Sequence, residues 1–253
     1  MGSTIITLTA FACMSAGVLL GMFVRSRLPT HHLSDESRDV LKVGVGLIGT
    51  LVALVLGLLV SSAKGSFDSL NAGITQSGAK IIVLDRALAR YGPETKDVRD
   101  AMRRGIAGVI KMIWPTGDTG HPDLKSLETA VAVEETQRML RELTPQNESQ
   151  RAIQSQALQI TGDVLQTRWL LLAQTQQSLP VLFLMILVLW LAVLYIGFGL
   201  LAPGHATTIV SLLVCALSVS GAIFLILEMN NPTGGIITIS SGPLVKALSL
   251  LGK

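Results

Sequence analysis

Long apolar runs without a charged residue recur along the chain. Asp, Glu, Lys and Arg are absent from residues 1–24, 43–63 and 169–227. A helix needs about 20 apolar residues to cross the roughly 30 Å hydrocarbon core of a bilayer. The first two runs are each long enough for one such helix, and the third is long enough for two. The pattern therefore predicts four transmembrane helices, near residues 5–24, 43–63, 181–201 and 207–227.

A heptad follows the second predicted span. Its apolar positions are Phe67, Leu70, Ile74, Ile81, Leu84 and Leu88. A repeat of 3.5 residues favours left-handed packing of helices. No proline or turn cluster separates the span from the heptad, so one helix is predicted over residues 43–91. It is expected to end at Tyr91-Gly92-Pro93, where glycine permits a left-handed cap and proline suits the start of the next helix.

Two partners are possible for this heptad. A second copy of the chain is the first, which makes the six residues candidate contacts of a homo-oligomer. The helix predicted within residues 145–180 of the same chain is the second. The sequence predicts homo-oligomerisation through the second span and this heptad, with the same-chain helix as the main rival.

Residues 64–180 carry most of the charge of the chain. They hold 14 of its 20 Lys and Arg residues and 13 of its 17 Asp and Glu residues. Further helices are predicted up to the break at Trp114-Pro115, over residues 123–142, and onward from Pro145. The predicted fold class is all-α, with four transmembrane helices and a helical extramembrane bundle inserted between the second and third. The predicted domains are 1–63, 64–180, 181–229 and a C-terminal tail, 230–253.

Composition agrees with a membrane protein. The hydrophobic fraction is 49% and the charged fraction is 15%, whereas soluble domains carry about 25% charged residues. Disordered chains and disulfide-stapled secreted modules are excluded. Cys13 and Cys215 both lie in apolar runs and are expected to be buried thiols rather than a disulfide bridge. The net charge of +3 comes without a basic patch, so no nucleic-acid partner is expected.

Four stretches resemble the bestrophin-like family of bacterial membrane proteins. They are residues 54–59, 84–94, 113–115 and 228–236. Their order along the chain is specific, and together they extend over nearly all of it. The resemblance implies a bacterial inner-membrane protein with remote kinship to oligomeric anion channels. It also implies that the helical domain and both termini are cytosolic.

Small residues in the second span are candidates for a pore or for helix packing. Gly44, Gly46 and Gly49 match the spacing of a dinucleotide-binding loop, but that motif needs a preceding strand. Inside a membrane span such glycines instead permit close helix approach or leave room for an ion. The candidate positions are Gly44, Gly46, Gly49, Thr50, Ala53 and Gly57.

Charged candidates are few. Asp85 and Arg86 near the end of the heptad are expected to form an interhelical ion pair, or to line a pore mouth. Arg99, Arg103 and Arg104 are expected on a solvated face. Glu228 ends the longest uncharged run, and three placements remain open for it: the headgroup level, an ion path, or an anchor for the tail. Asn230 and Asn231, which follow it, share these structural or pore-mouth roles.

No cofactor or metal is predicted. His31 and His32 with Asp35 and Glu36 have a spacing that metal ligands use on a helix, but solvated residues around an N-cap at Ser34 explain the same pattern. Motifs of nucleophilic, nucleotide-dependent or zinc enzymes are absent from the sequence. The chain is therefore not expected to be an enzyme.

Two classes of function remain. One is an oligomeric anion channel lined by the second transmembrane helix. The other is a non-conducting membrane scaffold or sensor whose helical domain binds a partner. The expected partners are the lipid bilayer and further copies of the chain.

Two arguments about the orientation of the chain in the membrane disagree. The loop after the first span carries Arg25, Arg27, Arg38 and Lys42, whereas Lys64 and Arg168 are the basic residues near the span ends on the other side. Basic residues in short loops favour the cytoplasm. The local count thus predicts an extracytoplasmic 64–180 domain, while the family resemblance implies a cytosolic one.

Overall fold

The described part of the chain is helical. The computed structural model describes residues 2–29, 34–115, 123–124, 126, 131–175, 181–230 and 236–252, and no strand occurs among them. Their α-helices are α1 (Gly2–Arg27), α2 (Asp35–Tyr91), α3 (Lys96–Ile113), α4 (Ala132–Glu142), α5 (Glu148–Thr175), α6 (Val181–Leu201), α7 (Ala206–Met229) and α8 (Gly242–Leu250). The prediction of an all-α chain is confirmed.

Four of these helices, α1, α2, α6 and α7, are long and apolar enough to cross a membrane. They coincide with the four predicted spans. Helix α2 is much longer than a span requires, with 57 residues, and no proline interrupts it before Gly92.

The chain forms two compact units. The membrane unit comprises Met1–Gly65 and Ser178–Asn230, and the helical unit comprises Ser66–Gln177 and Asn231–Lys253. Helix α2 therefore contributes its residues 35–65 to the first unit and its residues 66–91 to the second.

Glycines allow α1 and α6 to lie backbone against backbone in the membrane unit. A Cβ atom added at Gly21 would lie 2.9 Å from the Cα of Gly199 and would overlap the carbonyl oxygen of Ile196. A Cβ atom added at Gly17 would lie 3.0 Å from the carbonyl oxygen of Ala192. Separations near 3 Å leave no room for a side chain, so this contact requires glycine.

Buried side chains from α1, α2, α6 and α7 complete the core of the membrane unit. Met14, Leu191 and Ile223 are fully buried there. Val45 of α2 packs so closely on α6 that a Cβ atom at Gly197 would overlap its side chain. Helix α2 thus joins the unit through one face.

Helix α2 ends where the sequence predicts. Gly92 follows Tyr91 with a φ of 141°, a value that side chains disfavour, and Pro93 begins a short 3₁₀ helix, Pro93–Thr95. Two carbonyls in the last turn of α2 accept hydrogen bonds from side chains. The Thr95 hydroxyl donates to the Leu88 carbonyl at 2.7 Å, and the Gln150 amide donates to the Tyr91 carbonyl at 3.1 Å.

Helices α2 and α5 pair antiparallel in the helical unit. The Gln174 amide donates to the Ser69 hydroxyl at 3.1 Å, and Lys80 donates to Asp163 at 3.1 Å. The Tyr91 carbonyl at the end of α2 accepts from Gln150 near the start of α5. Later residues of α2 therefore bond to earlier residues of α5, as in an antiparallel pair.

The C-terminal segment belongs to the core of the helical unit. Leu244, Ala247 and Leu251 are buried among residues of α2 and α3. The indole N–H of Trp114, just after α3, donates to the Ile239 carbonyl at 3.0 Å. A Cβ atom at Gly78 of α2 would lie 2.9 Å from the Pro243 carbonyl oxygen, so α8 begins against the backbone of α2.

We expect Gly21→Ala to destabilise the membrane unit and Gly44→Ala to leave it unchanged or slightly stabilised. The added methyl group at Gly21 meets the α6 backbone, and overpacking of this kind costs about 1–3 kcal/mol. At Gly44 no atom lies within 4 Å of the added carbon, so the higher helix propensity of alanine is the remaining effect. The melting temperatures of the two variants in lipid nanodiscs test this, and equal melting temperatures would contradict it.

Candidate functional site

One face of α2 in the membrane unit is left uncovered by the other described residues of the chain. Gly46, Thr50, Ala53, Gly57 and Ser61 follow each other at three or four residues, the spacing that places side chains on a common helical face. All five are exposed. No side chain on this small-residue face is larger than threonine, so a neighbouring backbone or a narrow lumen fits against it.

Helix α2 is the least covered of the four candidate spans. In an apolar stretch of 18 residues of α2, 11% of the residues are buried within the chain. The corresponding shares are 28% for α1, 33% for α6 and 22% for α7. Val45, Val52 and Ala63 form its covered side. The opposite side is free to meet a further subunit, lipid or a lumen.

The candidate glycines of α2 divide into two groups. A Cβ atom at Gly49 would contact the Leu194 side chain at 3.3 Å, whereas Gly44, Gly46 and Gly57 have no atom within 4 Å of such a carbon. A close approach to a helix backbone lies instead at Gly21 of α1, where an added Cβ atom would overlap the Ile196 carbonyl oxygen. The sequence does carry a signal for it, since Gly17-x-x-x-Gly21 is a small-xxx-small motif of membrane helix pairs.

The small-residue face is uncharged and carries hydroxyl groups. The Thr50 hydroxyl donates to the Leu47 carbonyl at 2.8 Å, which satisfies its proton and leaves oxygen lone pairs. The nearest charged residues along α2 are lysines at both ends, Lys42 and Lys64. Lys42 also pairs with Asp39 at 2.9 Å.

The heptad residues lie in the core of the helical unit. Leu70, Ile74, Ile81, Leu84 and Leu88 are each at most 8% exposed, and Phe67 packs against the same core. The same-chain alternative therefore accounts for them, since α5 pairs with this part of α2. An oligomer contact through the heptad stays a prediction, and it would require a second copy to displace this packing.

Asp85 binds two other segments of the helical unit. The residue is 1% exposed, and its carboxylate accepts from Arg99 Nε at 2.7 Å, Arg99 Nη2 at 3.0 Å and the Gly252 N–H at 3.2 Å. The hydrogen bond with Asp85 is the main cause that raises the pKa of Arg99 above its ordinary value. We call this group the Asp85 clamp.

The clamp bears on two expectations from the sequence. Arg99 is not on a solvated face with Arg103 and Arg104, which are exposed, because it turns inward to the buried carboxylate. The ion pair of Asp85 is interhelical, joining α2 to α3, while Arg86 lies exposed on α2.

Glu228 is buried in the last turn of α7, with 4% of its surface exposed. Such burial agrees with an anchor or a protein-lined path better than with a solvated headgroup position. Asn230 follows at the helix end, where its N–H donates to the Ile226 carbonyl at 3.0 Å. Asn231 lies outside the described residues.

The metal-ligand spacing at the first loop involves His31 and His32, which also lie outside the described residues. Elsewhere in the described ranges, no group of three or more His, Cys, Asp or Glu side chains is placed to hold a metal ion.

A family model described as a Bestrophin-like domain matches residues 12–244, nearly the whole chain. No curated protein and no solved structure matches it.

We expect Asp85→Asn to destabilise the helical unit far more than Asp163→Asn. Removing one partner of a buried ion pair costs about 3 kcal/mol, and Asp85 also holds the C-terminal segment. The Lys80–Asp163 pair has side chains that are 25% and 46% exposed, so its loss is expected to cost less than about 1 kcal/mol. Thermal unfolding compares the two variants.

Amide hydrogen exchange at Gly252 gives an independent readout. Exchange there is expected to accelerate in Asp85→Asn and to keep its wild-type rate in Asp163→Asn. A Gly252 amide with equal protection in both variants would show that the clamp does not hold the C-terminal segment.

Proposed function

The chain belongs to the Bestrophin-like family, and on this premise we propose that it is an integral membrane channel of several identical subunits. The proposed pore passes small anions and is lined by the small-residue face of α2. The observation that carries the proposal is the exposure of this face within a single chain.

The low burial of α2 supports an oligomer. Membrane helices associate through close packing of small residues rather than through the hydrophobic effect. Copies of α2 arranged around an axis would bury the flanks of the small-residue face and leave its centre at the lumen. The described residues of one chain include four candidate spans, and none of the other three covers this face.

Charge placement supports anions over cations. The face itself bears no charge, and the charged residues that bracket it along α2 are both cationic, Lys42 and Lys64. Rings of basic residues favour anions in pores, whereas rings of acidic residues favour cations. A repeated copy of α2 would place such lysines at each end of the uncharged stretch.

The same face also fits simple helix packing, so a non-conducting scaffold or sensor whose helical unit binds a partner is the alternative. We propose no catalytic activity and no nucleic-acid partner for either function. The proposed partners are the lipid bilayer and further copies of the chain.

We expect Ala53→Trp to abolish anion flux in proteoliposomes. Ala53 lies on the small-residue face, and an indole ring repeated in each subunit would fill a narrow lumen. Leu217→Trp on α7 is the matched control, because Leu217 is 63% exposed and lies on a different span. Chloride efflux is expected to fall at least about tenfold in the first variant and to stay at the wild-type level in the second.

If flux is absent, the particle mass in nanodiscs shows whether the oligomer or the pore is wrong. Flux that is absent from an intact wild-type oligomer would favour the scaffold or sensor. A wild-type monomer would overturn both the oligomer and the pore. Equal loss of flux in both tryptophan variants would contradict the proposal that α2 lines the lumen.

We further propose that the membrane unit lies in a bacterial inner membrane with the 64–180 domain on the extracytoplasmic side. Four basic residues in the first loop, compared with two near the span ends on the other side, support this orientation.

Single cysteines test the orientation in a Cys13→Ala, Cys215→Ala background. Ser155→Cys on α5 and Ser34→Cys before α2 replace exposed residues. In spheroplasts, a membrane-impermeant maleimide is expected to label Ser155→Cys at once and Ser34→Cys after lysis. The reverse pattern would place the domain in the cytosol, as the family resemblance implies.

A further inference from the structure

The core of the helical unit contains an apolar cavity of about 80 Å³. Its walls come from α2, α3, α4, α5 and α8. A second cavity of about 30 Å³ shares Ile81, Ile106 and Val164 with it. Because five helices contribute to the walls, the cavity lies where the helices of this unit meet.

The wall presents carbon to this space. The Ser77 hydroxyl donates to the Gly73 carbonyl at 2.9 Å, and the Trp114 indole N–H donates to the Ile239 carbonyl at 3.0 Å. The remaining lining residues, apart from Arg168, are aliphatic. Cavities of this kind stay dry and bind apolar molecules, so a sugar or nucleotide does not fit the chemistry of the wall.

Arg168 is the one charged residue among the described residues that line this cavity. It is 7% exposed, and its terminal nitrogens reach the two carboxylate oxygens of Glu134 at 3.0 and 2.8 Å. The Glu134 side chain is 42% exposed. A ligand carboxylate offers Arg168 the same bidentate geometry, and the displaced Glu134 carboxylate can turn towards water.

From the cavity and this pair we infer that the helical unit binds an alkyl carboxylate, the chemistry of a fatty acid. The end of the alkyl chain occupies the apolar cavity, and the carboxylate replaces Glu134 on Arg168. This binding is independent of whether the protein conducts ions.

Tryptophan quenching by ω-bromodecanoate tests the inference on the full chain in nanodiscs. Trp169→Phe and Trp190→Phe leave Trp114, in the cavity wall, as the one tryptophan. Contact with the bromine at the chain end is expected to quench it saturably, and unlabelled decanoate is expected to reverse the quenching. Quenching that rises linearly without saturation would overturn the inference.

A matched pair of variants locates the site. Val133 lines the cavity, whereas Val131, two residues away, is 68% exposed. Val133→Phe is expected to raise the half-saturating concentration of ω-bromodecanoate by about tenfold or more, since filling the cavity removes room for several methylene groups. Val131→Phe is expected to leave that concentration unchanged. Equal effects would overturn the inference. If Val133→Phe fails to fold, Val109→Leu fills part of the same cavity with a smaller change. Weaker binding than in Val131→Phe would then support the inference, and equal binding would overturn it.

The carboxylate half of the inference has its own test. Glu134→Gln removes the competing carboxylate and is expected to tighten ω-bromodecanoate binding severalfold, without tightening ω-bromodecane. A neutral alkane that binds as tightly as the acid to the wild-type protein would overturn the role of Arg168. A parallel protein that retains Trp190 alone reports the bilayer partition of both probes.

Discussion

The membrane unit depends on one constraint, the lack of hydrogen-bond partners for the backbone inside a bilayer. Helices satisfy their own N–H and C=O groups, which fixes the secondary structure of α1, α2, α6 and α7 but not their arrangement. Lipid tails are as apolar as leucine, so close packing must hold these helices together. The backbone contact of Gly21 with Gly199 supplies such packing. It makes α1 and α6 a pair and leaves α2 attached through one face.

The helical unit follows the physics of a water-exposed protein. An apolar seam on α2 is buried against α5 and its neighbours, and polar side chains cap the exposed helix ends. Gln154 of α5, for example, donates to the Leu140 and Leu143 carbonyls at the end of α4. The Asp85 clamp then ties α3 and the C-terminal segment to α2. A buried carboxylate is costly without such partners, and three hydrogen bonds supply them.

Local signals in the sequence predict the spans and the end of α2, because uncharged length and the Gly92-Pro93 break act within a few residues. The choice of neighbour is not local. The heptad marks a buried face of α2 but does not say whether α5 or a second copy covers it. Gly21 and Gly46 both lie in apolar runs, yet one contacts a backbone and the other meets open space. Arg99 reaches Asp85 across a turn, so spacing along α3 alone places it with its exposed neighbours.

The burial of the heptad has a consequence for subunit association. Its side chains are already occupied within each chain, so a homo-oligomer gains little from them unless the helical unit repacks. In the membrane unit, the exposed surface of α2 consists of small residues beside large aliphatic ones such as Leu47, Leu54 and Leu58. Contacts between small residues in a membrane rely on shape and compete with lipid. An assembly built on them would depend on its lipid surroundings, whereas an exposed coiled coil would hold in water.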